Sequence, residues 1–380
     1  MNIDMLVFAE DWGRHPSSTQ HLIRQLLPEQ QILWVNSIGL RSPRLCQRDL
    51  KRSWSKLRSM IKQSDTCNQV SSNKDLAPQL VDPCTIPLHG NQLIRRLNQM
   101  ILTKRLSPLL KADHNEGPLL WTSLPSAVDM VGKLGERAAI YYCGDDFSAL
   151  DGVDHAPIKK MEQELADKCQ LIITSSAQLA DKFAPEKTYL LPHGVDYDLF
   201  SLPQHKAQDL PSDGPIAGFY GAIAGWFDQQ LFIQIAQRLP HWTFILIGPA
   251  HVDISQMQAV ENIQWLGPKP HSQLPSYSQH WTVGLLPFID NAQIRACNPL
   301  KLREYLAAGS SVVSTNFPAL DGYRDLITVA DDADAFAHAM ENYYYKNDHQ
   351  QFNRKQRQLR VKDEGWCSRA EELKQVLNDL

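Results

Sequence analysis

The chain lacks any Cys-x-x-Cys pair. Its seven cysteines, at positions 46, 67, 84, 143, 169, 297 and 367, are odd in number and widely spaced, so neither a disulfide framework nor a zinc site is expected. Free, buried thiols are the expectation. Long hydrophobic runs are also missing: stretches such as Leu171 to Thr174 and Trp281 to Phe288 fall far short of the ~20 residues needed to cross a bilayer. Charge of one sign is missing as well. Lys and Arg total 38 against 42 Asp and Glu, a net charge of −4, and without a basic face the chain is not expected to bind nucleic acid. The opening residues Met1-Asn2-Ile3-Asp4 carry neither the basic stretch nor the apolar stretch of a signal peptide, which predicts a cytoplasmic location. No internal repeat or low-complexity tract interrupts the sequence.

What is present is ample apolar material, 43% of the 380 residues with only 21% charged, enough for packed cores in two domains. Short β-rich runs alternate with helical patterns. Ile3 to Phe8, Ile32 to Val35, Leu119 to Thr122, Ala139 to Tyr142 and Leu171 to Thr174 read as strands, and Ser18 to Leu27 as a helix. A proline-containing polar stretch, Asp196 to Gly214, reads as a connector. Beyond it the alternation restarts with strands at Ile216 to Tyr220, Thr243 to Ile247, Ile263 to Leu266, Val283 to Pro287 and Ser311 to Thr315. Helices are expected near Gln229 to Arg238, His271 to His280 and Pro299 to Ala308. The fold class predicted is α/β: two doubly wound, Rossmann-like domains facing a cleft, since open parallel sheets bind ligands beyond the carboxyl ends of their strands. The expected boundaries are 1–195, a linker 196–213, a second domain 214–350, and helices over 351–380 crossing back to the first.

Two clusters carry candidate chemistry. Gly218, Gly221 and Gly225 follow a strand, but their spacing is not the G-x-G-x-x-G that admits a dinucleotide pyrophosphate. A structural turn and a ligand loop are both open. Farther on, the run from Arg295 through Asn298, Pro299, Lys301 and Glu304 to Gly309 combines a capping Asn298, Pro299 at the first helical position and a terminating Gly309. Lys301 and Glu304 share one helix face. They read either as a surface ion pair or as a phosphate-binding cation with a carboxylate that accepts hydrogen bonds from a ribose diol.

The run from Arg295 to Thr315 resembles the donor-binding motif of the GT-B glycosyltransferases, and it is supported in order by His193-Gly194, by the stretch ending in Gly267 and by Leu285-Leu286-Pro287. The resemblance covers about residues 190 to 330. It implies a transferase with a UDP- or GDP-linked nucleotide-sugar donor as substrate, no separate cofactor and no metal. Lys301, Glu304, Asn298, Arg295, His193, Gly194 and the backbone near Gly221 and Gly267 would hold the donor. The acceptor would be a glycan or a lipid-linked sugar of a surface polysaccharide. Ala296 stands where the retaining enzymes carry a first Glu, and residues 222–237 hold no basic side chain. The pattern is more similar to the xanthan glucuronosyltransferase type, which is inverting.

Inversion needs a general base. Asp145, directly after the strand ending near Tyr142, is the counterpart of the base in that type, with an Asx turn or a cap as its structural alternative. Arg14 and His15, in the loop after the first strand, could hold acceptor or phosphate, and His15 is a second-choice base. The triplets Asp196-Tyr197-Asp198 and Asp332-Ala333-Asp334 read as turns or caps. Finally, Arg41 to Lys62 carries eight cations against Asp49 alone. Arg52, Trp54 and Lys56 within it suit either peripheral contact with an anionic membrane or a solvated helix packed on the core. Rival readings are a nucleotide-sugar epimerase on the same fold and a non-catalytic sugar-nucleotide-binding protein.

Overall fold

The computed structural model describes residues 3–14, 17–38, 77–83, 85, 86, 88, 90–110, 117–150, 153–345 and 350–380. The chain divides into two compact units, one made of Met1–Thr174, Leu179–Leu190 and Lys374–Leu380, the other of Ser175–Gln178 and Leu191–Leu373.

In the first unit seven strands form one parallel sheet: β1 (Met5–Phe8), β2 (Ile32–Val35), β3 (Gln79–Val81), β4 (Leu119–Thr122), β5 (Ala138–Cys143), β6 (Leu171–Thr174) and β7 (Thr188–Leu190), in the order β3-β2-β1-β4-β5-β6-β7. β1, β2, β4, β5 and β6 are buried along their whole length, as continuous apolar runs in a parallel sheet must be. Met5 pairs with Ile32 on one side and Leu119 on the other, so the strand order reverses at β1. Helix Ser18–Leu26 packs its Leu22, Ile23 and Leu26 inward, and Ser17 caps it by accepting from the Gln20 N–H at 3.1 Å.

The second unit repeats the plan with six parallel strands, β8 (Ile216–Tyr220), β9 (Thr243–Ile247), β10 (Ile263–Trp265), β11 (Val283–Leu286), β12 (Ser311–Ser314) and β13 (Thr328–Val329), ordered β10-β9-β8-β11-β12-β13. Here the reversal falls between β8 and β11, where Gly284 stands beside Gly218. Neither position tolerates a side chain. A Cβ at Gly218 would come within 1.5 Å of the Trp281 ring, and one at Gly284 within 2.8 Å of the Tyr305 ring. The two glycines let Trp281 and Tyr305 pack edge to face, 5.4 Å apart, and Tyr305 belongs to helix Leu300–Ala307. A close backbone approach therefore seats the helix that bears Lys301 and Glu304. Gly218 thus serves packing, whereas Gly221 serves the loop beyond.

Residues 191–213 were expected to end one domain and link it to the next. They fall instead within the second unit, because Phe200 is fully buried and Gln279 Nε2 donates to the carbonyls of Phe200 at 2.7 Å and Leu202 at 2.8 Å. At the other end, residues 374–380 fall with the first unit, where Lys374 pairs with Glu29 at 2.8 Å. No helix among the described residues is long and apolar enough to cross a membrane.

Candidate functional site

Helix Leu300–Ala307 begins one residue later than its sequence suggests. Pro299 occupies the cap position, no side chain caps the first turn, and Lys301 is its second residue. Backbone N–H groups at such an end carry partial positive charge and suit an anion. By contrast, the helix Gln229–Arg238 that follows the glycine loop is capped by its own Asp228, which accepts from Leu231 N–H at 2.9 Å. Its positive end already faces a carboxylate.

Lys301 crosses toward the end of β8. Its Nζ stands 5.3 Å from the centre of the Trp226 ring and 5.9 Å from that of Phe219, cation–π distances that hold the ammonium over two aromatic faces. Its last carbons run along Gly221, where a Cβ would lie 2.1 Å from Cε and 2.9 Å from Nζ. Gly221 has φ +137°, a conformation other residues rarely adopt, and its N–H donates to Ile247 O at 2.8 Å. A Cβ at Gly248, at the end of β9, would strike the Gly221 carbonyl at 2.0 Å, and Gly248 N–H in turn donates to Gly267 O at 2.9 Å. The ends of β8, β9 and β10 are therefore drawn together as bare backbone beside one cation.

One turn along the helix, Glu304 is almost fully buried. His271 Nε2 donates to its Oε1 at 2.7 Å, and the imidazole packs edge-on to Phe200. Lys301 and Glu304 do not form the surface pair that their spacing allowed: each is directed to partners on other elements. The Tyr220 hydroxyl is buried nearby, beside the Glu304 carboxylate. Burial first, and then the charge of Glu304, hold that phenol well above its ordinary pKa.

The other expected donor residues are dispersed within the second unit. Asn298 does not cap the helix. Its Nδ2 donates to Ser175 O at 2.6 Å and its Oδ1 accepts from Arg303, whose Nε reaches Glu364 at 2.8 Å. Asn298 is thus a strut between the helix start and residues 175–178. Arg295 lies exposed on the short helix Ala292–Ala296, paired with Asp290 at 2.6 Å, and faces a cavity of about 840 Å³ that Asp228, Thr315 and Asn316 also line; neither Lys301 nor Glu304 belongs to that lining. His193 and Gly194 pack on Trp366, so close that a Cβ at Gly194 would lie 2.8 Å from the ring. In the D-x-D triplets, Asp196 and Asp332 cap helices, and Asp334 pairs with Arg238. His271, Trp226 and Tyr220 escaped sequence reasoning, since nothing local marks them as neighbours of residues 301 and 304.

In the first unit, Asp145 is exposed just past the end of β5, and its carbonyl accepts from the Cys143 thiol. The Asx turn belongs to Asp146, whose Oδ1 accepts from Ser148 N and Oγ and from Lys182 Nζ. Burial opposes ionisation of Asp146, yet the bonds from Ser148 and Lys182 prevail and hold its pKa below the usual carboxylate range. Lys182 also reaches the buried Glu162 at 2.9 Å, tying down the loop that presents Asp145. In the loop after β1, buried Gln20 accepts from Gly13 N–H and donates to Glu10, while Arg14 is exposed beside Asp11 at 3.5 Å. His15, Arg52, Trp54 and Lys56 lie outside the described residues.

Solved structures share this architecture from end to end. Anabaena HepE in complex with UDP superposes with a TM-score of 0.66 at 12% identity, covering 100% of both chains. The sucrose-phosphate synthase of Thermosynechococcus elongatus gives 0.69 at 13% identity, covering 99% of this chain and 98% of the other. The fold is GT-B. Residues 214–345, which include the whole Lys301 and Glu304 cluster, match the family model of the group 1 glycosyl transferases. TuaH of Bacillus subtilis (strain 168), named for a glycosyltransferase of teichuronic acid biosynthesis, is 29% identical over 251 residues, 59% of this chain and 63% of that protein. The match thus spans somewhat less than two thirds of its length.

Proposed function

We propose that this GT-B chain is a glycosyltransferase that moves a sugar from a nucleotide-sugar donor to a glycan or lipid-linked acceptor of a surface polysaccharide, with inversion and without a metal. One observation carries the donor assignment: the Lys301 ammonium, pressed against the bare backbone of Gly221 on the uncapped first turn of its helix, with Glu304 one turn along. A point charge and helix N–H groups suit a diphosphate, and a carboxylate steadied by His271 suits the two hydroxyls of a ribose. UDP is the favoured nucleotide, since HepE was solved with UDP. The absence of a second carboxylate at Ala296 supports inversion.

In the reaction the acceptor oxygen bonds to the anomeric carbon as the bond from that carbon to the diphosphate breaks. The acceptor proton passes to Asp145, and Lys301 stabilises charge building on the departing diphosphate. Peripheral contact with an anionic membrane belongs to the same reading. Titration calorimetry with UDP, and UDP release from UDP-glucose, test it. Lys301→Ala is expected to weaken UDP binding about 10- to 150-fold, from the ~1.5–3 kcal/mol of a charge-assisted bond. Asp145→Asn is expected to keep UDP affinity and lose turnover. Undiminished UDP affinity in Lys301→Ala would remove the donor assignment.

A further inference from the structure

Helix Gln92–Leu110 of the first unit shows water an apolar stripe that no motif announced. Leu93 is 74% exposed, Leu97 40% and Met100 63%. At ~100° per residue, these three and Lys104 fall within about 60° of one another around the helix, with Arg96 at the margin. The opposite side faces inward. There Leu102 and Leu106 are buried, and Arg95 is held by Asp129 at 2.7 Å and Glu164 at 2.6 Å. Ile86 and Leu88, on the segment leading into the helix, are exposed too, and Asn98 fixes that segment by bonding both N–H and carbonyl of Ile86 at 2.8 Å.

The charge on this face has one sign. Residues 92–110 contain no Asp or Glu, and Arg96, Lys104 and Arg105 are exposed; the nearby carboxylates, Asp129 and Glu164, are engaged on the inward side by Arg95. A contiguous exposed apolar patch marks an interaction surface. A second copy of the chain fits poorly, because a self-complementary pairing would set these cations against each other with no acid between them. An anionic bilayer satisfies both features: the apolar side chains enter the boundary region and the flanking cations meet lipid phosphates.

We propose that helix Gln92–Leu110 docks on an anionic lipid surface through Leu93, Leu97 and Met100, with Arg96 and Lys104 on the headgroups. This deepens the membrane contact in the reading above, and it depends on the helix face, not on the donor site. The test is co-sedimentation of the full chain with vesicles of phosphatidylcholine alone or with phosphatidylglycerol, alongside UDP titration and sedimentation velocity. The expected result is binding to the anionic vesicles alone. Arg96→Gln with Lys104→Gln should lower partitioning roughly 20- to 30-fold, at about fivefold per cation. Leu97→Asp with Met100→Asp should abolish it. Both pairs of substitutions lie at exposed positions and should leave UDP affinity at the wild-type value, which also reports that the variants fold. Failure of UDP binding in every form would sink the donor assignment without touching this surface. Wild-type pelleting by both double variants overturns the proposal, as does absence of binding to anionic vesicles. A wild-type dimer that the Asp substitutions convert to monomer, with no vesicle binding, would assign the face to self-association instead.

Discussion

Replacing Gly221 by alanine separates the cost of folding from the cost of function at one atom. The new Cβ would sit 2.1 Å from Lys301 Cε, at a backbone φ of +137°. The backbone conformation is strained for any side chain and should cost about 1–3 kcal/mol of stability. The clash itself adds little to that sum, because it falls on the far end of a flexible side chain that can rotate away. Rotation, however, lifts the ammonium from the Trp226 and Phe219 faces. If that ammonium contacts a diphosphate, about 1.5–3 kcal/mol is lost, or roughly 10- to 150-fold in affinity. UDP titration calorimetry on Gly221→Ala, Lys301→Ala and the double variant reads this as a cycle. The double variant should bind UDP no more weakly than Lys301→Ala, since the cation has only one contact to lose, while its urea midpoint keeps the backbone penalty. Additive losses of affinity would show that Gly221 and Lys301 act separately and would refute the geometry assigned to the site.

Gly218→Ala should destabilise more than Gly221→Ala, because Trp281 is wedged in a packed interior and cannot swing aside; overpacking of this kind costs about 1–3 kcal/mol or more, read as a shifted urea midpoint. His271→Ala should lower UDP affinity about tenfold in the wild-type background and not at all in Glu304→Ala, if the imidazole acts only by orienting that carboxylate. Glu364 predicts an acid limb in stability. Burial opposes its ionisation, but Tyr323, Arg303 and Arg360 outweigh burial and hold its pKa below the usual value. A folded pKa lower than the unfolded ~4.3 adds stability that is full above that pH and is lost as pH falls through the folded value. Glu364→Gln should therefore flatten the stability profile below pH ~4.3; an unchanged slope in acid unfolding would assign the limb to other carboxylates.

The legible parts of the fold were those with dense local signals. β2, β4, β6, β8 and β9 lie where their apolar runs begin and end, because a strand buried on both faces has no polar position to blur it. β3 and β7 gave no such signal, being short edge strands with exposed or half-exposed residues. Helix Gln92–Leu110 also escaped, since only Leu102 and Leu106 are buried along its 19 residues and its apolar stripe faces outward.

By itself the sequence determined that this chain forms two parallel-sheet units and that Lys301 and Glu304 share one helix face, since both follow from periodicity over a few residues. Tertiary structure decided what those two side chains meet. Gly221, Trp226 and His271 reach them only because β8 and β10 lie on the same side of the β8/β11 reversal and because Gly218 and Gly284 let the helix settle against the sheet. Such contacts depend on the register of strands about 30 to 80 residues away in the chain, a separation at which no local pattern constrains them.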